Sequence, residues 1–163
     1  MSFLYNKNNK QGLIDLIAKH LMKKGVDVEH AGDEGDADVV IVKKALELAD
    51  SYEKIVVVAD DTDIFVLLAH HAPLSSDIYM KRQNDTLSIK VTKHALGSEM
   101  CKCILFAHAM SGCDTTSSFF RQGKVKLFNM CLNSEELRNK VLVFGDKEST
   151  KEIIHEVGEE IIA

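Results

Sequence analysis

Ile55-Val56-Val57-Val58-Ala59-Asp60-Asp61-Thr62-Asp63 runs four consecutive β-branched residues straight into three carboxylates. The run reads as a parallel strand, apolar on both faces and bounded by a polar exit. Carboxylates at the C-terminal end of such a strand lie where open α/β sheets keep their ligands, because the loops leaving that edge form the crevice. Asp61 and Asp63, at i and i+2, share a side if the chain stays extended. Like charges that close repel unless a cation or protons intervene, so the pair either binds a metal or splays into water.

The other segments surround this strand. A polar lead, Asn6 to Gln11, precedes an amphipathic helix with Leu13, Ile14, Ile17 and Leu21 on one face, for which Gly25 is the stop. Val26-Asp27-Val28 alternates like a short strand. An acidic loop from His30 to Asp38 follows, then a helix from about Val39 to Ala49. Acidic residues at a helix start also cap orphan N–H groups and suit the dipole, which is the plain reading of Asp36 and Asp38. Asp77 to Lys81 and Thr86 to Lys90 flank Arg82 to Asp85 as a hairpin. Val91 to Leu96 reads as a short helix ended by Gly97. Ser98 caps the next helix, with Cys101, Ile104, Leu105 and His108 at apolar positions. Arg121 to Lys126 reads as a basic loop, and Ser134 and Ser149 as caps of two further helices.

At 163 residues the chain is one domain's worth, enough for a core with layers on two sides of a sheet. Hydrophobic content of 45% with a single proline argues against disorder. A net charge of −5 opposes a general nucleic-acid coat protein, although clustered carboxylates supply part of the excess. Cys101, Cys103, Cys113 and Cys131 lack paired metal-ligand spacing, and the N-terminus has no secretory signal. Reduced thiols in an intracellular protein, nuclear or cytoplasmic, are the expectation. No apolar run approaches membrane-spanning length, so no membrane partner is expected.

Three acidic groups stand at element junctions: Asp36-Ala37-Asp38 at a helix start, Asp60-Asp61-Thr62-Asp63 at a strand end, and Gly112-Cys113-Asp114 at a helix exit. In this order they resemble the internal region of the XPG-type nucleases, the flap-endonuclease branch of the PIN-like fold. That pattern runs E-A-E-A, then D-x-D after a strand, then G-[SC]-D. The strings A-D-D-T-D-I-F-V-L-L and H-A-M-S-G-C-D-T-T-S-S-F-F also resemble uncharacterised animal proteins carrying such a domain. The resemblance covers residues 32–127. It implies a PIN-like three-layer α/β/α sandwich with a mainly parallel central sheet, spanning residues 1–163 as a single domain. By the same resemblance, Asp36, Asp38, Asp61, Asp63 and Asp114 are both catalytic residues and ligands of Mg²⁺ or Mn²⁺. Asp replaces Glu in the first pair. The family also uses an aspartate at the end of an upstream strand that Met1 to Gln11 does not supply. The resemblance therefore implies a fragment of a longer domain, without its first strand and with impaired cleavage.

Hydrolysing a phosphodiester of DNA or RNA brings hydroxide to an anionic phosphorus and stabilises charge on the leaving oxygen, which two divalent ions about 3.5–4 Å apart do together. Mg²⁺ prefers oxygen ligands, so carboxylates suit it and Cys113 reads as packing. His70, His71, His94 and His108 are scattered and read as core or surface residues. A nucleic-acid strand reaching a negative site needs positive groups at its rim, and Lys81, Arg82, Arg121, Lys124 and Lys126 are the candidates. Two alternatives remain. One is a catalytically degenerate, nuclease-derived binding module. The other is a haloacid-dehalogenase-like phosphohydrolase, also built on D-x-D after a strand, though Ile64-Phe65 replaces the small residues its phosphate loop prefers.

Overall fold

The structure, a computed structural model, describes residues 3–31, 36–113, 116–117 and 123–162. It divides into two compact units, Met1–Ala37 and Asp38–Ala163.

The first unit is built on α1 (Lys7–Met22), which starts where the Asn6 side chain accepts the Asn8 N–H at 2.9 Å. Its end is the expected one. Gly25 N–H reaches Met22 O at 3.0 Å and Val26 N–H reaches Leu21 O at 3.1 Å, satisfying carbonyls that the last turn leaves open. Val26-Asp27-Val28 is not a strand. Among the described residues no strand pairs with it, and three alternating residues cannot hold an extended ladder alone.

The second unit is α/β. In chain order it comprises α2 (Ala37–Ala49, its first residue belonging to the first unit), β1 (Ile55–Val58), α3 (Thr62–His71), β2 (Ile78–Lys81), β3 (Thr86–Ser88), α4 (Ile89–Met110), α5 (Lys124–Asn133), α6 (Glu135–Val141) and α7 (Lys151–Ile162). The sheet has the order β1-β2-β3 and is mixed. β1 and β2 run parallel with Val57 opposite Met80; β2 and β3 run antiparallel with Met80 opposite Leu87, which is the expected hairpin.

β1 differs from its expected environment. Val57 is buried, but Val56 is 51% and Val58 78% exposed, so the strand is covered on one face only. The Val57 face packs with Val42 and Ala45 of α2, Ile64 and Leu68 of α3, Ile78 and Met80 of β2, and Ile89 of α4. Leu68, Ile78 and Met80 are fully buried, each contributing about 1.5–3 kcal/mol relative to exposure. The continuous apolar run Ile64–Ala69, which had no element expected of it, is the body of α3, buried against both this core and Ile104 of α4.

Ser88 starts α4 by accepting the Val91 N–H at 3.3 Å. The expected break within it is present as a kink: Gly97 has φ 77° and ψ 161°, a region essentially closed to residues with a Cβ. The Ser98 hydroxyl donates to the Glu99 carboxylate at 3.1 Å. Beyond the kink, Met100, Cys103 and Phe106 pack with Leu127 and Cys131 of α5 and Val141 of α6. Burial pushes the Cys103 thiol up to about 11 and raises those of Cys131 and Cys101 as well, which disfavours their thiolate forms. Ser134 caps α6 as expected, accepting the Leu137 N–H at 3.1 Å. For α7 the cap is Thr150 and not Ser149: its hydroxyl oxygen accepts the Ile153 N–H at 3.4 Å.

Candidate metal centre

The exit of β1 is pinned before any carboxylate is placed. Ala59 N–H continues the parallel ladder to Lys81 O at 3.1 Å, and the Asp60 carboxylate accepts the Gln83 N–H of the hairpin loop at 3.1 Å. Asp60 is thus a structural tie. Asp61 becomes the N-cap of α3, with φ −78° and ψ 135°, and its Oδ1 accepts the Asp63 N–H at 2.9 Å. The two aspartates therefore meet across a helix cap, not along an extended strand. The positive end of the α3 dipole partly offsets their repulsion, typically by about 0.3–1 kcal/mol for each carboxylate.

Asp38, in the first turn of α2, joins them. One carboxylate oxygen from each of Asp38, Asp61 and Asp63 lies within 4.8 Å of the other two. Asp61 is exposed; Asp38 and Asp63 are half-buried. Asp36 is exposed and belongs to the first unit, and Asp114 lies outside the described residues.

A second group shares Asp63. One ligand atom each from Asp63, His108 and Cys113 also falls within 4.8 Å of the others. His108 comes from the last turn of α4. Gly112, at φ 89°, then turns the chain so that Cys113 returns beside it. His108 Nε2 is 3.1 Å from Asp63 Oδ1 and makes no hydrogen bond among the described residues. The 3.1 Å separation is a close electrostatic approach rather than a hydrogen bond. Neither residue is a ligand in the sequence reading. The only signal for them is that a histidine in the last turn of a helix and a cysteine after its glycine can face the same strand exit.

Comparison with family models, with curated proteins and with solved structures finds no match to the chain. Its chemistry rests on this geometry.

Of the expected rim cations, Lys81 and Arg82 stand at the C-terminal edge of β2, opposite the exit of β1; Lys81 pairs in register with Val58. The Arg82 guanidinium points to Asp60 O at 3.5 Å, the outer limit of a hydrogen bond. Lys124 and Lys126 are in the first turn of α5, not in a loop. Lys124 lines a mainly apolar cavity of about 260 Å³ with Thr62, Phe65, His108 and Phe128, directly beside the acidic group. Lys124 and Lys126 also line a larger groove of about 1070 Å³ that includes none of the clustered carboxylates. The smaller cavity is the chemically relevant one because it adjoins His108. Arg121 lies outside the described residues. His70 is structural: its Nδ1 is 2.8 Å from Cys101 O, linking α3 to α4.

Proposed function

We propose that this chain is a PIN-like, divalent-metal-dependent nuclease domain that hydrolyses phosphodiester bonds of DNA or RNA. The observation that carries the reading is the convergence of Asp38, from α2, on Asp61 and Asp63 at the β1–α3 junction. Three hard oxygen donors from separate elements fit Mg²⁺ or Mn²⁺, which take carboxylates together with waters and substrate phosphate. Bound there, such a cation supplies Lewis-acid polarisation of the phosphoryl group and a water acidic enough to attack. Asp61 orients its carboxylate through the cap bond to Asp63 N–H and keeps its second oxygen for the cation. Lys81, Arg82 and Lys124 hold the anionic strand against the acidic edge, and the apolar wall of Phe65 and Phe128 excludes water from one side of the site.

Asp61→Asn tests the centre. Asparagine caps a helix about as well as aspartate, so the metal-free variant keeps the parent melting temperature. Mg²⁺ or Mn²⁺ raises the melting temperature of the parent, because a ligand bound only by the folded state stabilises it. The variant loses most of that rise, together with Mn²⁺-dependent cleavage of labelled single-stranded, flap and hairpin substrates. An unchanged metal response in Asp61→Asn removes Asp61 from the ligand set. Binding without cutting by the parent chain replaces the nuclease reading with the binding module.

The rim has its own test in Lys124→Glu combined with Lys126→Glu. Acidic residues in the first turn of α5 suit the helix dipole better than lysines, so the pair does not destabilise the fold. Affinity for single-stranded nucleic acid falls across sequences, and the salt dependence flattens by about 0.7 in log–log slope for each phosphate that is no longer neutralised. An identical slope in the double variant makes these lysines ordinary surface.

A further inference from the structure

We propose that Asp63, His108 and Cys113 form a second cation site, selective for a borderline transition metal such as Zn²⁺ over Mg²⁺. It goes beyond the carboxylate centre and shares only Asp63 with it. Three unlike donors are brought together by three separate positions: the first turn of α3, the last turn of α4, and the return of the chain after Gly112. One carboxylate oxygen, one imidazole nitrogen and one sulfur are a donor set that zinc accepts and magnesium does not. With bonds of about 2.0–2.3 Å, the donors of a tetrahedral zinc stand roughly 3.3–3.7 Å apart. Oδ1 of Asp63 and Nε2 of His108 are 3.1 Å apart, and all three donors lie within 4.8 Å, so side-chain adjustments of a few tenths of an ångström to about 1 Å complete the site.

The independent mark of the site is His108 Nε2. The atom is buried, has no hydrogen bond among the described residues, and lies 3.1 Å from the Asp63 carboxylate. Leaving a buried polar atom without a hydrogen bond is costly, and coordination through its lone pair removes that cost. Cys113 Sγ is 3.2 Å from Thr116 Oγ1, whose hydroxyl donates to Ala109 O at 2.7 Å. Coordination replaces the S–H bond with a sulfur–metal bond and releases the thiol proton to solvent, one per ion bound. Thr116 remains beside the sulfur to orient it, as outer-shell partners of metal ligands do. Three protein ligands leave a fourth position for water or a phosphate oxygen, adjacent to the Asp38–Asp61–Asp63 group through the shared Asp63.

Cobalt titration of the whole metal-free chain tests this. Co²⁺ gives the visible absorption of a four-coordinate ion and a near-ultraviolet thiolate-to-cobalt charge-transfer band. Zn²⁺ abolishes both, and excess Mg²⁺ leaves both in place. Cys113→Ser loses the charge-transfer band, and His108→Gln weakens cobalt binding by more than about a hundredfold, beyond the usual effect of losing a supporting residue. Asp61→Asn keeps the spectrum. In the unaltered chain, Zn²⁺ slows alkylation of Cys113 by iodoacetamide, followed by mass spectrometry, whereas Mg²⁺ does not. Absence of the charge-transfer band, its survival in Cys113→Ser, or an alkylation rate indifferent to Zn²⁺ overturns the site. A normal cobalt spectrum with no Mn²⁺ response sinks the carboxylate centre and keeps this one; the converse result does the reverse.

Discussion

Asp63→Asn is expected to remove both metal responses at once. Its carboxylate belongs to the Asp38–Asp61–Asp63 group and to the Asp63–His108–Cys113 group, so one substitution takes a ligand from each. Asparagine keeps the side-chain shape, and the backbone N–H that Asp61 caps is untouched. Loss of the charge weakens the favourable interaction with the α3 dipole but relieves repulsion from Asp38 and Asp61, so the metal-free protein keeps its stability within about 1 kcal/mol. The metal-bound protein does not. At a metal concentration of a hundred times Kd, binding adds about 2.7 kcal/mol to stability; a hundredfold weaker site leaves about 0.4 kcal/mol at the same concentration. Cleavage falls by roughly a hundredfold or more, the scale of an ångström's misplacement at a reacting centre. Thermal melts with Mn²⁺ and the cobalt spectrum, read on Asp61→Asn and Asp63→Asn side by side, check the sharing. Asp61→Asn loses the first response only. If Asp63→Asn also loses only one of the two, Asp63 does not bridge the groups.

Leu68→Ala carries the largest expected loss of stability. Leu68 is 0% exposed on α3 and lies within the core made by α2, α3, β1, β2 and the start of α4. Truncating a leucine in such a place costs about 2–5 kcal/mol, the lost transfer energy plus the cavity left behind. Native stability of a domain this size is about 5–15 kcal/mol, so the variant approaches the threshold of folding. Denaturant unfolding checks it: the midpoint drops while the slope holds, since the surface exposed on unfolding is nearly unchanged. Val58→Thr is the companion measurement. Val58 is 78% exposed on the uncovered face of β1, so this substitution stays within about 0.5 kcal/mol of the parent. A cost for Val58→Thr comparable to that of Leu68→Ala would mean that the second face of β1 is covered after all.

How much the sequence alone determined follows the range of the interactions involved. The Gly25 stop of α1, the β2–β3 hairpin around Arg82 to Asp85, the break at Gly97 and the Ser134 cap all depend on partners a few residues away, and each was legible. The choice of Thr150 over Ser149 was a one-residue matter of which hydroxyl faces the first turn. The continuous run Ile64–Ala69 was not legible, because a stretch that is apolar at every position carries no periodicity to separate helix from strand. Four β-branched residues likewise marked β1 as a strand but not its exposure, which depends on what packs against each face. The sequence also brought Asp61 and Asp63 together as a pair, although the helix cap that joins them was visible only in the fold. Only tertiary structure decided the rest of the site. Asp38 meets Asp63 as α2 packs on the Val57 and Leu68 core, and His108 and Cys113 reach it because the second half of α4 packs on α3 through Val66, Ala69 and Ile104. No local pattern encodes that meeting; the burial of those apolar side chains produces it.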